Sequence, residues 1–234
     1  MTAVPGFDGR LNSALEKQAA TAGESVDTYI QHAVTLRLVA DTALHDSGEL
    51  AELLGHLASL GLDGPLLPAA AASAVVRDPS RLQAVEATGL LDSPPEDSYD
   101  RITSMAVNAL DVPSAAVSLV ARDRQFFKSA RGLNEAAAAA RETTMENSVC
   151  QFVVASGEPL IVEDTRNETL LKNHPVVTAG DVIAYAGIPL IDDDGNSVGT
   201  FCVWDDKPRQ WSTGHVLILT DLAGMVRDLI YGAE

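Results

Sequence analysis

The sequence predicts an α+β fold built on an antiparallel sheet, and three observations carry that prediction. Short apolar runs come in pairs separated by turn residues, as hairpin strands do. Segments with helical periodicity stand before, between and after those pairs. The last pair is joined by Asp192-Asp193-Asp194-Gly195-Asn196, an acidic turn in which Gly and Asn accept positive φ. Strands joined by hairpins, not by crossover helices, make an antiparallel sheet.

Composition bounds what such a chain does. Of 234 residues, 46% are apolar and 21% charged, which is enough apolar surface for a core and too much for a disordered chain. The net charge is -17 and no short window is dominated by Lys or Arg, so the chain repels phosphate backbones and nucleic acid is not an expected partner. Two cysteines, Cys150 and Cys202, lie in separate apolar segments and do not make a disulfide framework. Residues Met1 to Arg10 lack the apolar run of a signal peptide. No apolar stretch approaches the length of a membrane span, so no membrane contact is expected and a cytoplasmic location is the default.

Residues 1–60 read as helical. Leu11, Leu15 and Ala19 recur at fourfold spacing before Gly23 stops the helix. Ser25 is a candidate N-cap, and Val26, Tyr29, Ile30, Ala33, Val34, Leu36 and Leu38 trace the apolar face of a second helix. Leu50, Leu53, Leu54, Leu57 and Leu60 suggest a third. Helices this few bury their stripe poorly alone, which favours packing on a second copy. Residues 61–77 read as a linker, broken by Gly61, Gly64, Pro65 and Pro68.

The remaining residues, 78–234, carry the sheet. Leu82, Val85, Leu90 and Leu91 read as a short helix ended by Pro94-Pro95, and Ile102, Met105, Ala106, Ala109 and Leu110 as the face of another. Ala115 to Val120 is a buried strand with Gln125 to Ala130 as its hairpin partner. Asn134 to Thr144 is a loop or short helix, Ser148 to Ala155 a helix, Leu160 to Val162 a strand and Thr165 to Leu171 polar helix or loop. Ala184 to Leu190 and Val198 to Trp204 are the last strand pair. Ser212 caps a closing helix with Val216, Leu217, Leu219, Leu222, Ala223, Val226 and Ile230 on its apolar face.

Four segments in order resemble the GAF domain family of bacterial sensory proteins. RLQAVEATGLLDSPPEDSYDRIT is similar to the helical lead-in of such domains, and LDVPSAAVSLVARDRQFFKSARGL to their first strand pair. ENSVCQFVVASGEPLIVEDTRNE resembles their central helix and third strand. IAYAGIPLIDDDGNSVGTFCVWDDKPRQWS resembles the last hairpin and the start of the closing helix. The resemblance, over about residues 78–232, implies a GAF/PAS-like central antiparallel sheet with helices on one side and a small-molecule pocket on the other. It implies signalling rather than catalysis. Asn147 stands where relatives of this subtype commonly have His, and the Asn-Lys-x-Phe-Asp-Glu signature of cyclic-nucleotide-binding members is absent, so no ligand or cofactor is identified. ALEKQAATAGESVDTYIQHAV resembles, more weakly, the two helices of ribbon-helix-helix proteins, whose base-reading strand would fall at about Phe7 to Leu11. Arg10 is the one basic residue there, which favours dimerisation over DNA reading.

Catalytic patterns fail on context. Gly195-Asn196-Ser197-Val198-Gly199 matches a nucleophile elbow, which requires a strand, a sharp turn and a helix; here a strand follows. Asp192 to Asp194 do not open a calcium loop, because the sixth and twelfth positions are Ser197 and Val203. The five histidines lack metal-ligand spacing. Phe126 and Phe127 face opposite sides of their strand. With the family's pocket as guide, Phe127, Cys150, Tyr185, Cys202 and Trp204 are the candidate ligand-binding residues. Cys150 and Cys202 are either a redox or ligand-sensing pair or small buried hydrophobes. The resulting expectation is a non-catalytic homodimeric sensor of a small molecule or of redox state, passing its signal to a partner protein or a second subunit. Three alternatives stand beside it: an interaction platform with no ligand, a DNA-binding regulator using the N-terminal helices, and a free methionine sulfoxide reductase.

Overall fold

A computed structural model describes residues 8–22, 25–43, 52–53, 56–57, 72–168 and 170–232. The chain divides into two compact units, Met1–Ala71 and Ala72–Glu234.

In the first unit, helices α1 (Gly9–Ala22) and α2 (Val26–Ala43) pack on each other. Asp8 starts α1 by accepting the Leu11 N–H at 2.8 Å, and Ser25 starts α2 by accepting the Thr28 N–H at 3.1 Å. Gly9, Arg10 and Leu11 therefore form the first turn of a helix, which corrects the strand expected at Phe7 to Leu11; Phe7 itself lies outside the described residues. The buried stripe of α2 includes Thr35 and Val39, while Val34 and Leu38, placed on the apolar face from sequence, are exposed. These stripes are neighbours on the helix, and apolar residues on both leave the choice to packing. In the third expected helix, residues 52–53 and 56–57 are helical; Leu50, Leu54 and Leu60 lie outside the described residues, as do the stop at Gly23 and most of the expected linker.

The second unit begins with a helical turn at residues 72–76, with Ala72 and Val76 buried. Helix α3 (Pro79–Ala87) follows, its N-cap Asp78 accepting the Ser80 and Arg81 N–H groups at 3.0 and 3.1 Å. The helix stops before Leu90 and Leu91, because Gly89 takes φ +65° beyond the Thr88 cap. Arg81, almost fully buried, donates to the Val76 carbonyl from Nε at 2.9 Å and to the Ser197 carbonyl at 3.2 Å, binding the entry turn to the sheet. Helix α4 (Asp97–Leu110) buries Tyr99, Ile102, Ala106 and Leu110 and leaves Met105 exposed.

Six strands then form one sheet in the order β3-β2-β1-β6-β5-β4, every neighbouring pair antiparallel. They are β1 (Ser114–Val120), β2 (Arg124–Arg131), β3 (Glu142–Thr144), β4 (Leu160–Val162), β5 (Ala184–Ile191) and β6 (Ser197–Asp205). Between them lie α5 (Glu135–Ala140), α6 (Cys150–Ser156) and α7 (Pro175–Thr178), and α8 (Thr213–Tyr231) closes the chain. β3, β4's register and α7 were not individually legible as packed elements, but the hairpin of β5 and β6 is as expected. Asp192 accepts the Asn196 N–H at 2.7 Å, and Gly195 sits at φ +88°.

Central strand β1 is buried at every residue, since both faces of the sheet are covered. On one face, Val117, Leu119, Phe126, Ile188, Phe201 and Val203 meet α4 and α8 in the main core. Helix α8 buries Leu219, Leu222, Ala223 and Val226 there, and Ser212 caps it as anticipated by accepting the His215 N–H. The other face of the sheet carries α6 and a cavity.

Candidate ligand cavity

Alternation along each strand decides what reaches that second face. Phe126 enters the core, so Gln125 and Phe127 point the opposite way. By the same rule Ala186 and Val203 are core, while Tyr185, Cys202 and Trp204 face out of the helical layer. The strand pairing sets Tyr185 opposite Trp204 and Gly187 opposite Cys202. Helix α6 packs over β5 and β6 and delivers Cys150 from its first turn.

These side chains wall a cavity of about 480 Å³. Phe127, Cys150, Tyr185, Cys202 and Trp204, all five residues singled out from sequence, line it. Sequence reasoning missed the polar part of the wall: Ser114, Gln125, Asn134, Thr143, Asn147 and the two exposed carboxylates Asp181 and Asp206. Gln125 was within reach, since it shares the strand face of Phe127. Asn134 and Asn147 belong to the segments around β3, where no periodicity marks an orientation. Among the described residues lining the cavity there is no Lys, Arg or His.

The floor of the cavity is a buried network. The Gln125 amide donates to Ser118 Oγ at 2.9 Å and accepts from Ser148 Oγ at 2.5 Å. Ser148 Oγ in turn accepts the Gln151 N–H at 3.2 Å, so the start of α6 is fastened to β1 and β2. The Cys150 and Cys202 sulfurs are 3.6 Å apart, and Cys150 Sγ is 3.3 Å from the Tyr185 hydroxyl. Fifty-two positions of chain separate the thiols, so their adjacency is a product of the fold and not of any local motif. The hydrogen bond with the Cys202 thiol is the largest influence on Cys150. With smaller contributions from the Thr200, Tyr185 and Ser118 hydroxyls it outweighs burial and brings the Cys150 thiol down to about 7. Sharing that hydrogen bond, and then burial, push Cys202 well up, while burial first and the nearby thiols second push the Tyr185 hydroxyl up.

The other sequence patterns resolve as structural. Ser197 opens β6 and is buried beneath Arg81, with no helix after it, so no nucleophile elbow exists. The Asp192 carboxylate is occupied by the N–H groups of Asp194 and Asn196, the ordinary economy of a tight turn. His174 lies edge-on to Phe152, with ring centroids 5.9 Å apart, and burial pushes its pKa down.

The family model for the GAF domain matches residues 94–227. A cyclic di-GMP phosphodiesterase of Pseudomonas aeruginosa is 28% identical over 131 residues, which is 56% of this chain and 22% of that protein; the chain thus spans about a fifth of that relative's length. Among solved structures, the GAF domain of an Acinetobacter phosphoenolpyruvate-protein phosphotransferase is similar at 16% identity and TM-score 0.48, over 67% of this chain and 96% of that one. Free methionine-R-sulfoxide reductase from Neisseria meningitidis, in complex with its substrate, is similar at 15% identity and TM-score 0.46, over 68% and 89%. No helix among the described residues is long and apolar enough to cross a membrane.

Proposed function

Because the chain belongs to the GAF domain family, we propose that it is a non-catalytic sensory module that binds a small molecule in the cavity between α6 and the sheet. The observation that carries this reading is the cavity itself. It combines aromatic walls from Phe127, Tyr185 and Trp204 with a few convergent polar groups, the usual make-up of a small-molecule site. Among the described residues, Asp181 and Asp206 are its only charged lining groups, which favours a neutral or cationic ligand with an apolar body and disfavours phosphorylated ones. The net charge of -17 adds to that preference and keeps nucleic acid out of the reading.

Transmission falls to the helical layer. Leu217, Ile218, Met225 and Leu229 are exposed and share one face of α8, and Met105 is exposed on α4, which packs against α8. A second copy of the chain is the partner this face suits. Ligand binding would then favour one arrangement of the sheet and its helices over another, a population shift read at the dimer contact. Thermal unfolding of the purified chain against panels of neutral, cationic and phosphorylated metabolites tests the binding claim. Saturable stabilisation by members of the first two panels is the expected result; stabilisation confined to phosphorylated compounds would refute the charge preference.

A further inference from the structure

We propose that Cys150 and Cys202 form a dithiol site at the cavity floor that a small peroxide oxidises to an intrachain disulfide. The proposal rests on the GAF-sensor reading only in using the same cavity as its entrance. Both sulfurs belong to the cavity wall, and both are otherwise buried, with relative exposures of 3% and 2%. An oxidant small enough to enter the cavity therefore reaches them, while a protein-sized disulfide does not.

The geometry suits a reaction in two steps. The sulfurs are already in contact at 3.6 Å, against about 2 Å in a disulfide, so only a small approach is needed. Cys150 is the first attacker. Its sulfur lies in hydrogen-bond contact with Cys202 Sγ at 3.6 Å and with the Tyr185 hydroxyl at 3.3 Å, and these contacts favour its thiolate and lower its pKa. Its thiolate attacks the distal oxygen of a hydroperoxide, ROOH, and displaces the RO group. The O–O bond breaks, Cys150 becomes a sulfenic acid, and the proton lost from Cys150 leaves with the RO fragment as ROH. The Cys202 sulfur then attacks the Cys150 sulfur. The S–S bond forms, and the sulfenic hydroxyl departs with the Cys202 proton as water. Two thiols are oxidised by two electrons and one peroxide is reduced.

The disulfide has a direct mechanical consequence. Cys150 opens α6 and Cys202 is fixed in the middle of the sheet, so closure draws the start of α6 toward β6. Ser148 and Val149 immediately precede Cys150, and Ser148 holds Gln125. Oxidation therefore reshapes the cavity wall at Asn147, Val149 and Gln125. Tyr185 is a positioning residue: it touches the attacking sulfur and takes no part in the electron balance.

The test uses the full chain, reduced with dithiothreitol, freed of reductant and treated with an equimolar amount of hydrogen peroxide. After denaturation in iodoacetamide, the expected mass is that of the unalkylated chain less two hydrogens, and a peptide map joins the Cys150 and Cys202 peptides within one chain. In Cys202→Ser the peroxide should leave a sulfenic acid at Cys150 that dimedone captures; in Cys150→Ser, Cys202 should remain alkylatable. Tyr185→Phe should slow the first step and leave the disulfide product unchanged. Two free, alkylatable cysteines after peroxide, or bridges only between chains, would overturn the proposal. Ligand-induced stabilisation of the reduced chain is scored separately, so a chain that binds but does not oxidise loses this proposal and keeps the pocket.

Discussion

The ring of Tyr185 lies across Gly187: a Cβ placed on Gly187 would come within 2.5 Å of the Tyr185 hydroxyl and 2.8 Å of its ring. The absent side chain is what lets the tyrosine lie along its own strand, where its hydroxyl reaches Cys150. Gly187→Ala should therefore push Tyr185 off its site and cost about 1–3 kcal/mol, the usual penalty of overpacking a dense interior. Urea unfolding measures it. In a Tyr185→Ala background the same change should cost little, and additive costs in the two backgrounds would contradict the contact.

Lys128 is a buried cation on β2 whose ammonium is met by the Ser93 hydroxyl at 2.7 Å, the Pro94 carbonyl at 2.8 Å and the Glu96 carboxylate. The Tyr99 ring lies 5.2 Å from it. Lys128→Ala removes the stem and strands the Pro94 carbonyl, so a loss of about 2–4 kcal/mol is expected. Glu96→Gln keeps the other partners, and its half-exposed carboxylate is solvent-screened, so about 1 kcal/mol is expected there. Equal effects from the two, read by denaturant unfolding, would contradict the central role of the lysine.

Asp78 supplies the acid limb of stability at the start of α3. Its carboxyl is held below the ordinary carboxylate value, chiefly by the Ser80 hydroxyl and then by the Arg81 N–H. A depressed folded pKa means the contribution is present above the unfolded value, about 4, and is lost as pH falls through the folded one. Asp78→Asn keeps a good cap and has no charge to lose. Wild type should exceed it in stability at neutral pH, and the gap should close as the pH drops below about 4. A gap that widens in acid would reverse the sign and refute the assignment.

The α8 face offers a test of transmission. Leu217→Glu combined with Met225→Glu places charge on exposed positions without touching the buried residues Leu219, Leu222, Ala223 and Val226. By light scattering the wild type should run as a dimer and the variant as a monomer, with thermal unfolding little changed. A wild-type monomer would remove this face from the account.

Much of this was legible in the sequence because it is written in local signals. The Asp192 to Asn196 turn, the Ser212 cap and the alternation that sends Phe126 and Phe127 to opposite faces depend on near neighbours alone. The five aromatic and thiol residues of the wall followed once strand faces and the family layout were combined. What was not legible depends on packing. β3 is three residues long and pairs at a sheet edge, too short to show a period. α3 was drawn too long because Leu90 and Leu91 continue the apolar count past a glycine that turns the chain. The strand placed at Phe7 to Leu11 rested on a distant resemblance alone, while the fourfold spacing of Leu11, Leu15 and Ala19 marked the helix that Asp8 caps. The family layout put Cys150 and Cys202 near one another at the pocket, but their 3.6 Å contact depends on how α6 is laid on β6.

Occupancy of the cavity is the central claim, and native mass spectrometry of gently purified protein tests it most directly, with Ala137→Trp beside the wild type. Ala137 is a half-buried wall residue on α5, and an indole there fills the space while the sheet and its core stay as they are. The account predicts that the wild type takes up a neutral or cationic small molecule from a metabolite extract as an adduct that vanishes on denaturation, and that Ala137→Trp takes up none. A wild type that stays free of adduct in the same extract, or a filled variant that binds equally well, would contradict it.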